Sequence, residues 1–307
     1  MELIYLALGS GALLAALVWL ITPAVAVRLK RMGITGTDIH KAHRPDIPER
    51  GGIVILVAAM AFLAVLLAAS GQPGISYVLV FTAALGFYGL ADDSGNFGKY
   101  KKAALLAPLA FSAVYAAGFS GLWLVPAVIF FMGLSNVFNL FAGFNGMEAG
   151  CSSIALFFMS ACCFAAGMAY PLMLSIGMLM VLAAFLAHNR YPAKIFPGNV
   201  GTMTIGGFFA SVTVYYGLYA FVIPLMSLYI IDMALKACSS GYAGRAEMMP
   251  THISRSGMLV PRGRNISLAK AILRLKGMDE AGLVGTLWKM QAAVGVVTFV
   301  MVIGGII

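Results

Sequence analysis

The stretch "GFYGLADDSGNFGKYKK" (residues 86–102) ends an apolar run with two adjacent carboxylates, Asp92 and Asp93, and follows them with Lys99, Lys101 and Lys102. An acid pair at the end of a membrane-length apolar run is costly unless it meets a cation. One account is structural, an acid capping the next turn or lying in solvent. The other is chemical. Asn96 adds an oxygen donor, and oxygen ligands followed by fixed positive charge are what a magnesium-bound phosphate ester requires.

Three more stretches carry polar groups of this kind. In "SNVFNLFAGFNGMEAG" (135–150), Asn136 and Asn139 are three apart and share one helical face. Two amides on a lipid-buried helix need partners, either in neighbouring helices or in a polar site. Gly143, Asn145 and Gly146 then form a turn whose backbone can approach a flat ligand. "AHNRYPAKIFPGNVGT" (187–202) holds a Pro-Gly-Asn turn with Asn199 as an oxygen donor, and Phe196 beside it is open to an ordinary interfacial role as well. In "HISRSGMLVPRGR" (252–264), Arg262 and Arg264 are two apart in a Pro-containing extended loop, so their forks can meet neighbouring phosphates. His252 is open to three roles: proton shuttle, phosphate donor or surface residue.

These turns need a scaffold, and the composition names its solvent. The chain has 307 residues, 61% of them hydrophobic and 10% charged, with a mean hydropathy of +0.94. A soluble chain of this length could not hide that much apolar surface, so an all-α integral membrane protein is expected. Apolar runs predict ten transmembrane helices near 3–27, 52–70, 75–91, 103–119, 122–139, 149–168, 171–188, 201–217, 219–236 and 284–306. The first is read as a retained helix, since its positive charges follow the apolar run instead of preceding it. Four cysteines without metal-ligand spacing exclude a zinc site or a disulfide framework.

Lys and Arg test the topology. Nineteen of the twenty fall in 28–50, 99–102, 190–194 and 236–276, and Lys289 lies just inside the last span. The positive-inside rule then places these loops and the chemistry in the cytoplasm, at a cell membrane crossed many times, with both termini outside. The formal charge of +9 follows from that rule plus an anionic substrate, not from nucleic-acid binding. Residues 1–307 are read as one domain. The long loop 237–283 is expected to hold a short interfacial helix, with Leu268, Ile272 and Leu275 on its apolar face and Lys270, Arg274 and Lys276 opposite.

In order and spacing, "RPDIPERGG" (44–52), "ADDSGNFGKYKK", "NVFNLFAGFNGMEAG", "HNRYPAKIFPGNVGT" and "PRGR" resemble the polyprenyl-phosphate N-acetylhexosamine-1-phosphate transferase family. "NGMEAG", "HNRYP" and "PRGR" look most like its dolichyl-phosphate GlcNAc-1-phosphate branch. The resemblance implies transfer of GlcNAc-1-phosphate from UDP-GlcNAc to a polyprenyl or dolichyl phosphate in the bilayer, with release of UMP and with Mg²⁺ or Mn²⁺ as cofactor. Homodimer formation is left open. It implies that Asp92 and Asp93 sit beside the metal and the lipid phosphate, that Asp93, Asn139 and Asn199 are metal ligands, and that Lys102 holds phosphate. Phe196 would stack on uracil, with Gly143 and Asn145 at its edge and Glu49 closing the pocket, and Arg262 and Arg264 would grip the diphosphate. The family usually has Asp where this chain has Asn199, which keeps a ligand oxygen and loses one formal charge. Rival readings are the same fold acting on another UDP-N-acetylhexosamine, a low-activity Asn199 variant of it, a lipid-phosphate or nucleotide transporter, and a prenyl-type transferase.

Overall fold

The computed structural model describes residues 2–41, 43–95, 97–240, 251–254, 256–263 and 265–307, and the expected site residues Asn96 and Arg264 lie outside them. A helix forms in each of the ten expected ranges: α1 (Glu2–Arg31), α2 (Gly52–Ser70), α3 (Pro73–Gly95), α4 (Lys99–Ala116), α5 (Leu124–Phe141), α6 (Met147–Ala165), α7 (Ala169–Asn189), α8 (Gly198–Tyr216), the pair α9 (Tyr219–Leu225) and α10 (Ser227–Ser240), then α12 (Glu280–Ile303). The short α11 (Leu268–Leu275) precedes α12. Among the described residues seven helices are long and apolar enough to cross a membrane, or eight if the pair α9–α10, bent by 58°, is one span. The protein is therefore a multi-pass membrane protein. Two helices from the sequence-based count fall short for visible reasons. α4 begins with Lys99, Lys101 and Lys102, and α8 is rich in Gly, Ser and Thr because protein, not lipid, surrounds it: residues from Asn199 to Val214 are all buried.

α8 is the axis of the fold, packed on α2, α3 and α5, while α1, α6, α7 and α12 form the neighbouring group. Small residues set how closely the helices approach. A Cβ on Gly89 of α3 would lie 2.4 Å from the Asn199 carbonyl oxygen, and one on Gly206 of α8 would lie 2.0 Å from the Ser135 carbonyl oxygen of α5. Both contacts fix the height of the polar turns at one end of the bundle.

That end carries two hairpins not foreseen from the sequence. β1 (Thr35–Thr37) pairs antiparallel with β2 (Asp46–Pro48), and β3 (Thr251–Ile253) with β4 (Leu259–Pro261). The first docks on the turn before α8: the Phe196 N–H donates to the Pro48 carbonyl (2.8 Å), and the N–H groups of Gly51 and Gly52 donate to the carbonyls of Phe196 (2.8 Å) and Pro197 (2.9 Å). The second is joined to the first where the Thr251 hydroxyl and His40 Nδ1 are 2.9 Å apart.

α11 differs from the expected interfacial helix. Its buried face is Leu268, Ala269, Lys270 and Leu273, and Leu275 is 90% exposed. Lys270 is inside because two carbonyls await it: its ammonium donates to the Arg262 oxygen (2.6 Å) and the Asn265 oxygen (3.0 Å). Those hydrogen bonds replace the hydration that a buried lysine loses.

Candidate active site

Asp92 and Asp93 end α3 and face different partners. Asp93 accepts from the N–H of Asn199 through Oδ1 (2.9 Å) and from the N–H of Val200 through Oδ2 (2.9 Å). These amides belong to the first turn of α8, where no carbonyl of the helix can reach them and the helix dipole favours an anion. Asp93 therefore anchors α8. Asp92, 3% exposed, turns toward side chains. Its Oδ2 lies 2.7 Å from the Lys102 ammonium and accepts from Asn199 Nδ2 at 2.8 Å, while Oδ1 accepts from the Phe97 N–H at 3.1 Å. The Tyr88 hydroxyl donates to the Lys102 carbonyl (3.2 Å) and holds the start of α4 on α3.

Arg50 was missed in the sequence because its role is long-range. Its φ of 65° is a left-handed conformation that costs a residue with a Cβ roughly 1–3 kcal/mol. Its guanidinium donates to the Asp93 carbonyl (2.6 Å) and the Ser94 hydroxyl (3.3 Å), a cation on the negative end of α3. The backbone kink there leads from Glu49 to Gly51. Glu49 and Phe196 flank Gly36 of the first hairpin, where a Cβ would lie 3.4 Å from Glu49 Oε2 and 3.6 Å from Phe196 Cδ2. Phe196 is half-buried.

Asn136 and Asn139 are half-buried on the last turns of α5 and make no side-chain hydrogen bond among the described residues. α5 packs on α8 at the Ser135–Gly206 contact, and Asn139 lies four residues, about 6 Å of helix, beyond it. Beyond it, the Gly143–Gly146 turn is held by α12: Asn145 N–H donates to Glu280 Oε1 (2.8 Å) and Trp288 Nε1 to the Gly146 carbonyl (3.2 Å). A Cβ on Gly143 would meet nothing within 4 Å, so the backbone there is open to approach.

The basic side is less enclosed. Arg262 is exposed at the end of β4, in the loop pinned by Lys270. His252, on β3, has its Nδ1 buried without a hydrogen-bond partner among the described residues. A second tie joins this loop to α5: Asp232 accepts from the Leu268 N–H (2.8 Å) and pairs with Lys236 (2.7 Å), whose ammonium reaches the Leu140 carbonyl (2.5 Å). Contacts between distant segments thus bring 34–52, 92–102, 139–146, 196–200 and 251–280 to one end of the bundle.

Oxygen donors dominate this end, and no group of three or more His, Cys, Asp or Glu that could hold a metal occurs among the described residues. Magnesium is commonly held by one or two carboxylates with substrate phosphates supplying the rest, so the donor set fits Mg²⁺ or Mn²⁺ once a diphosphate is present. An ion reaching Asp92 Oδ2 would share that oxygen with the Lys102 ammonium or displace it.

Residues 75–217 match glycosyl transferase family 4. The chain is 31% identical over 268 residues to a putative glycosyltransferase of Methanocaldococcus jannaschii, covering 85% of this chain and 86% of that protein. It is 29% identical over 308 residues to a putative UDP-N-acetylglucosamine–dolichyl-phosphate N-acetylglucosaminephosphotransferase of Saccharolobus solfataricus, covering 92% and 91%. A phospho-N-acetylmuramoyl-pentapeptide-transferase of Shouchella clausii is 27% identical over 222 residues, covering 62% and 68%. With its helical bundle, its polar end and these relatives, the chain belongs to glycosyl transferase family 4.

Proposed function

We propose that this enzyme transfers GlcNAc-1-phosphate from UDP-GlcNAc to a polyprenyl or dolichyl phosphate, releasing UMP. The observation that carries the reading is the joining of Asp92, Lys102 and Asn199 at the membrane end of three helices, with Phe196 of the turn before α8 set against Glu49 and Gly36 of the docked hairpin segment. A lipid acceptor cannot leave the bilayer and a nucleotide sugar cannot enter it, so the reaction needs charged groups at that boundary. The names of the relatives add the substrate pair.

In the reaction, an oxygen of the lipid phosphate attacks the sugar-bearing phosphorus. The bond from that phosphorus to the bridging oxygen breaks, and UMP leaves with that oxygen. The acceptor is already largely ionised, since phosphate monoesters have a second pKa of ~6, so a general base contributes little and alignment contributes most. Lys102 neutralises phosphoryl charge, and Asp92 holds the ammonium in place. Asp93 and Arg50 fix the α3–α8 junction on which both depend. Arg262, with Arg264 and His252 as further candidates, closes over the diphosphate. Phe196 offers a stacking face to the base, with Gly143, Asn145 and Glu49 at its edge and Asn96 and Asn136 near the phosphates. The sequence points to Asp93 as a metal ligand, but both its oxygens accept from α8 amides; a divalent ion would instead be held by Asp92, Asn199 and Asn139 and would supply charge neutralisation at the phosphates.

The same reading includes ten spans, a site facing the cytoplasm and both termini outside. In support, α1 leads into the first hairpin at its C-terminal end and α12 starts beside the Gly143–Gly146 turn, so both termini point away from the hairpins, and the segregation of Lys and Arg favours the outside for them. The test uses the purified full chain with UDP-GlcNAc and a polyprenyl phosphate. Release of UMP only when the lipid phosphate is added supports the transferase. Movement of nucleotide across a vesicle membrane without UMP release would support the transporter instead.

A further inference from the structure

Away from the acid centre, a cavity of about 370 Å³ opens between α1, the end of α7 and the first hairpin. Its wall is apolar: Ala26 and Val27 of α1, Ile47 and Pro48 of β2, and Ile195 of the loop before α8. Two lysines stand at it, Lys30 from the last turn of α1 and Lys194 from the same loop as Ile195. Both are exposed, and neither makes a salt bridge or a side-chain hydrogen bond among the described residues. Asp46 is the one acid among the described residues that line the cavity, and its Oδ1 accepts from the Thr37 hydroxyl (3.0 Å). Two ammonium groups thus face one carboxylate.

The polar floor of the cavity is already satisfied. Pro23 has no N–H to give the Trp19 carbonyl four residues back, and the His188 ring takes that place, donating from Nε2 at 2.9 Å. What remains is unpaired positive charge beside apolar surface, the complement of an amphiphile with an anionic head. Val27 also ends an apolar stripe. Leu13, Leu20 and Val27 are seven apart on one face of α1 and are 62%, 61% and 51% exposed. From the first to the last, the helix rises about 21 Å, more than the roughly 15 Å of hydrocarbon in one leaflet. Arg28, Lys30 and Arg31 follow at once, so the cavity stands at the depth of lipid headgroups with an acyl track leading into it.

The opposite wall belongs to the proposed nucleotide side of the molecule. Pro48 lines the cavity and its carbonyl accepts from the Phe196 N–H (2.8 Å); Glu49 follows Pro48, and Phe196 follows Ile195. We propose that the cavity binds the phosphate headgroup of an anionic phospholipid through Lys30 and Lys194, and that the bound lipid braces the first hairpin against the turn before α8. Free phosphate would answer the lysines alone, whereas the apolar wall and the stripe on α1 commit the site to a lipid. The lipid is not the acceptor of the proposed reaction, because no residue of α3 or α4 is among the described residues that line the cavity.

The test reads lipid retention by the full-length protein without nucleotide, so its outcome is independent of the transferase reading. From nanodiscs of equal phosphatidylglycerol and phosphatidylcholine, native mass spectrometry of the wild type should show one phosphatidylglycerol retained per chain, preferred by about tenfold or more. Lys30→Gln/Lys194→Gln should lose about tenfold of that preference, and Lys30→Arg/Lys194→Arg should keep it. Arg28→Gln/Arg31→Gln removes the same charge from α1 outside the cavity and should change the preference by less than about threefold. Amide exchange over residues 35–48 should be slower by about threefold or more in phosphatidylglycerol than in phosphatidylcholine, in the wild type and not in Lys30→Gln/Lys194→Gln. Equal losses in the two Gln pairs would reduce the effect to general surface charge and overturn the site. Inorganic phosphate displacing the lipid, or polyprenyl phosphate displacing it, would overturn it too. Exchange alike in the two lipids would overturn the bracing.

Discussion

The acid centre between α3 and α8 and the basic loop after β4 face the same end of the bundle but are built differently. Asp92 and Asp93 sit on helices fitted together at Gly89, and Asp93 has both oxygens on α8 amides. Arg262 is exposed, and its loop is held by Lys270 through the Arg262 and Asn265 carbonyls and by Asp232 through the Leu268 N–H. The side that repels phosphate is rigid, and the side that attracts it is tethered by its backbone with its side chain free. Such a division suits a reaction between two anions: fixed acids define where a cation must stand, and an exposed basic side chain meets the substrate from the water side.

Among the groups that hold the two sides in place, removing the rigid anchor should have the largest effect. Asp93→Ala leaves the amides of Asn199 and Val200 without acceptors, which costs about 2 kcal/mol or more and shifts the α8 turn; turnover is expected to fall about 100-fold, with a lower melting temperature. Wild-type stability in this variant would mean that α8 does not depend on Asp93. Loosening the tethered side should act more gently. Lys270→Met keeps the buried volume and loses both carbonyl contacts, so KM for the nucleotide sugar should rise about tenfold while kcat changes by less than about threefold. An equal loss in kcat would place the loop among the rigid parts.

Asn199→Asp sharpens the comparison by adding charge to the acid side. It sets a carboxylate against Asp92, and only a cation reconciles the two. The magnesium concentration for half-maximal activity should drop by about tenfold; identical magnesium curves would separate Asn199 from the ion. The smallest effect is expected at the junction of the hairpins. Burial holds the His40 pKa below the ordinary value, against a partly compensating attraction from Asp38. The folded state thus binds that proton less readily than the unfolded one, so stability is full above about pH 6.5, the unfolded value, and falls as the pH drops below it toward the folded pKa. His40→Gln should flatten this part of the melting-temperature profile; a slope identical to wild type would point to another group.

The apolar runs made the helices legible, and helices stand in all ten expected ranges, because backbone polar groups at bilayer depth must pair within the segment whether it faces lipid or, as α8 does, other helices. α8 was legible as a helix but not as the axis, since nothing in its own residues says that protein would surround it. The positions of Asp92, Asp93, Lys102 and Asn199 were legible as types and order, and the structure brings all four together. Their division of labour was not, because it depends on which of two adjacent acids meets backbone amides from a helix more than one hundred residues away. Arg50, Glu280 and Lys270 were invisible for the same reason. Charge segregation accounts for basic residues in these loops, and helical periodicity put Lys270 on a polar face; only its carbonyl partners explain its burial.

The most direct measurement follows the phosphorus. With UDP-GlcNAc labelled at the sugar-bearing phosphate and a polyprenyl phosphate acceptor, the wild type should move the label into the lipid phase with one UMP released per lipid labelled. Asp92→Asn should still bind nucleotide but transfer about 1000-fold more slowly. Label that stays in water while UMP accumulates, or Asp92→Asn turning over at the wild-type rate, would contradict the account.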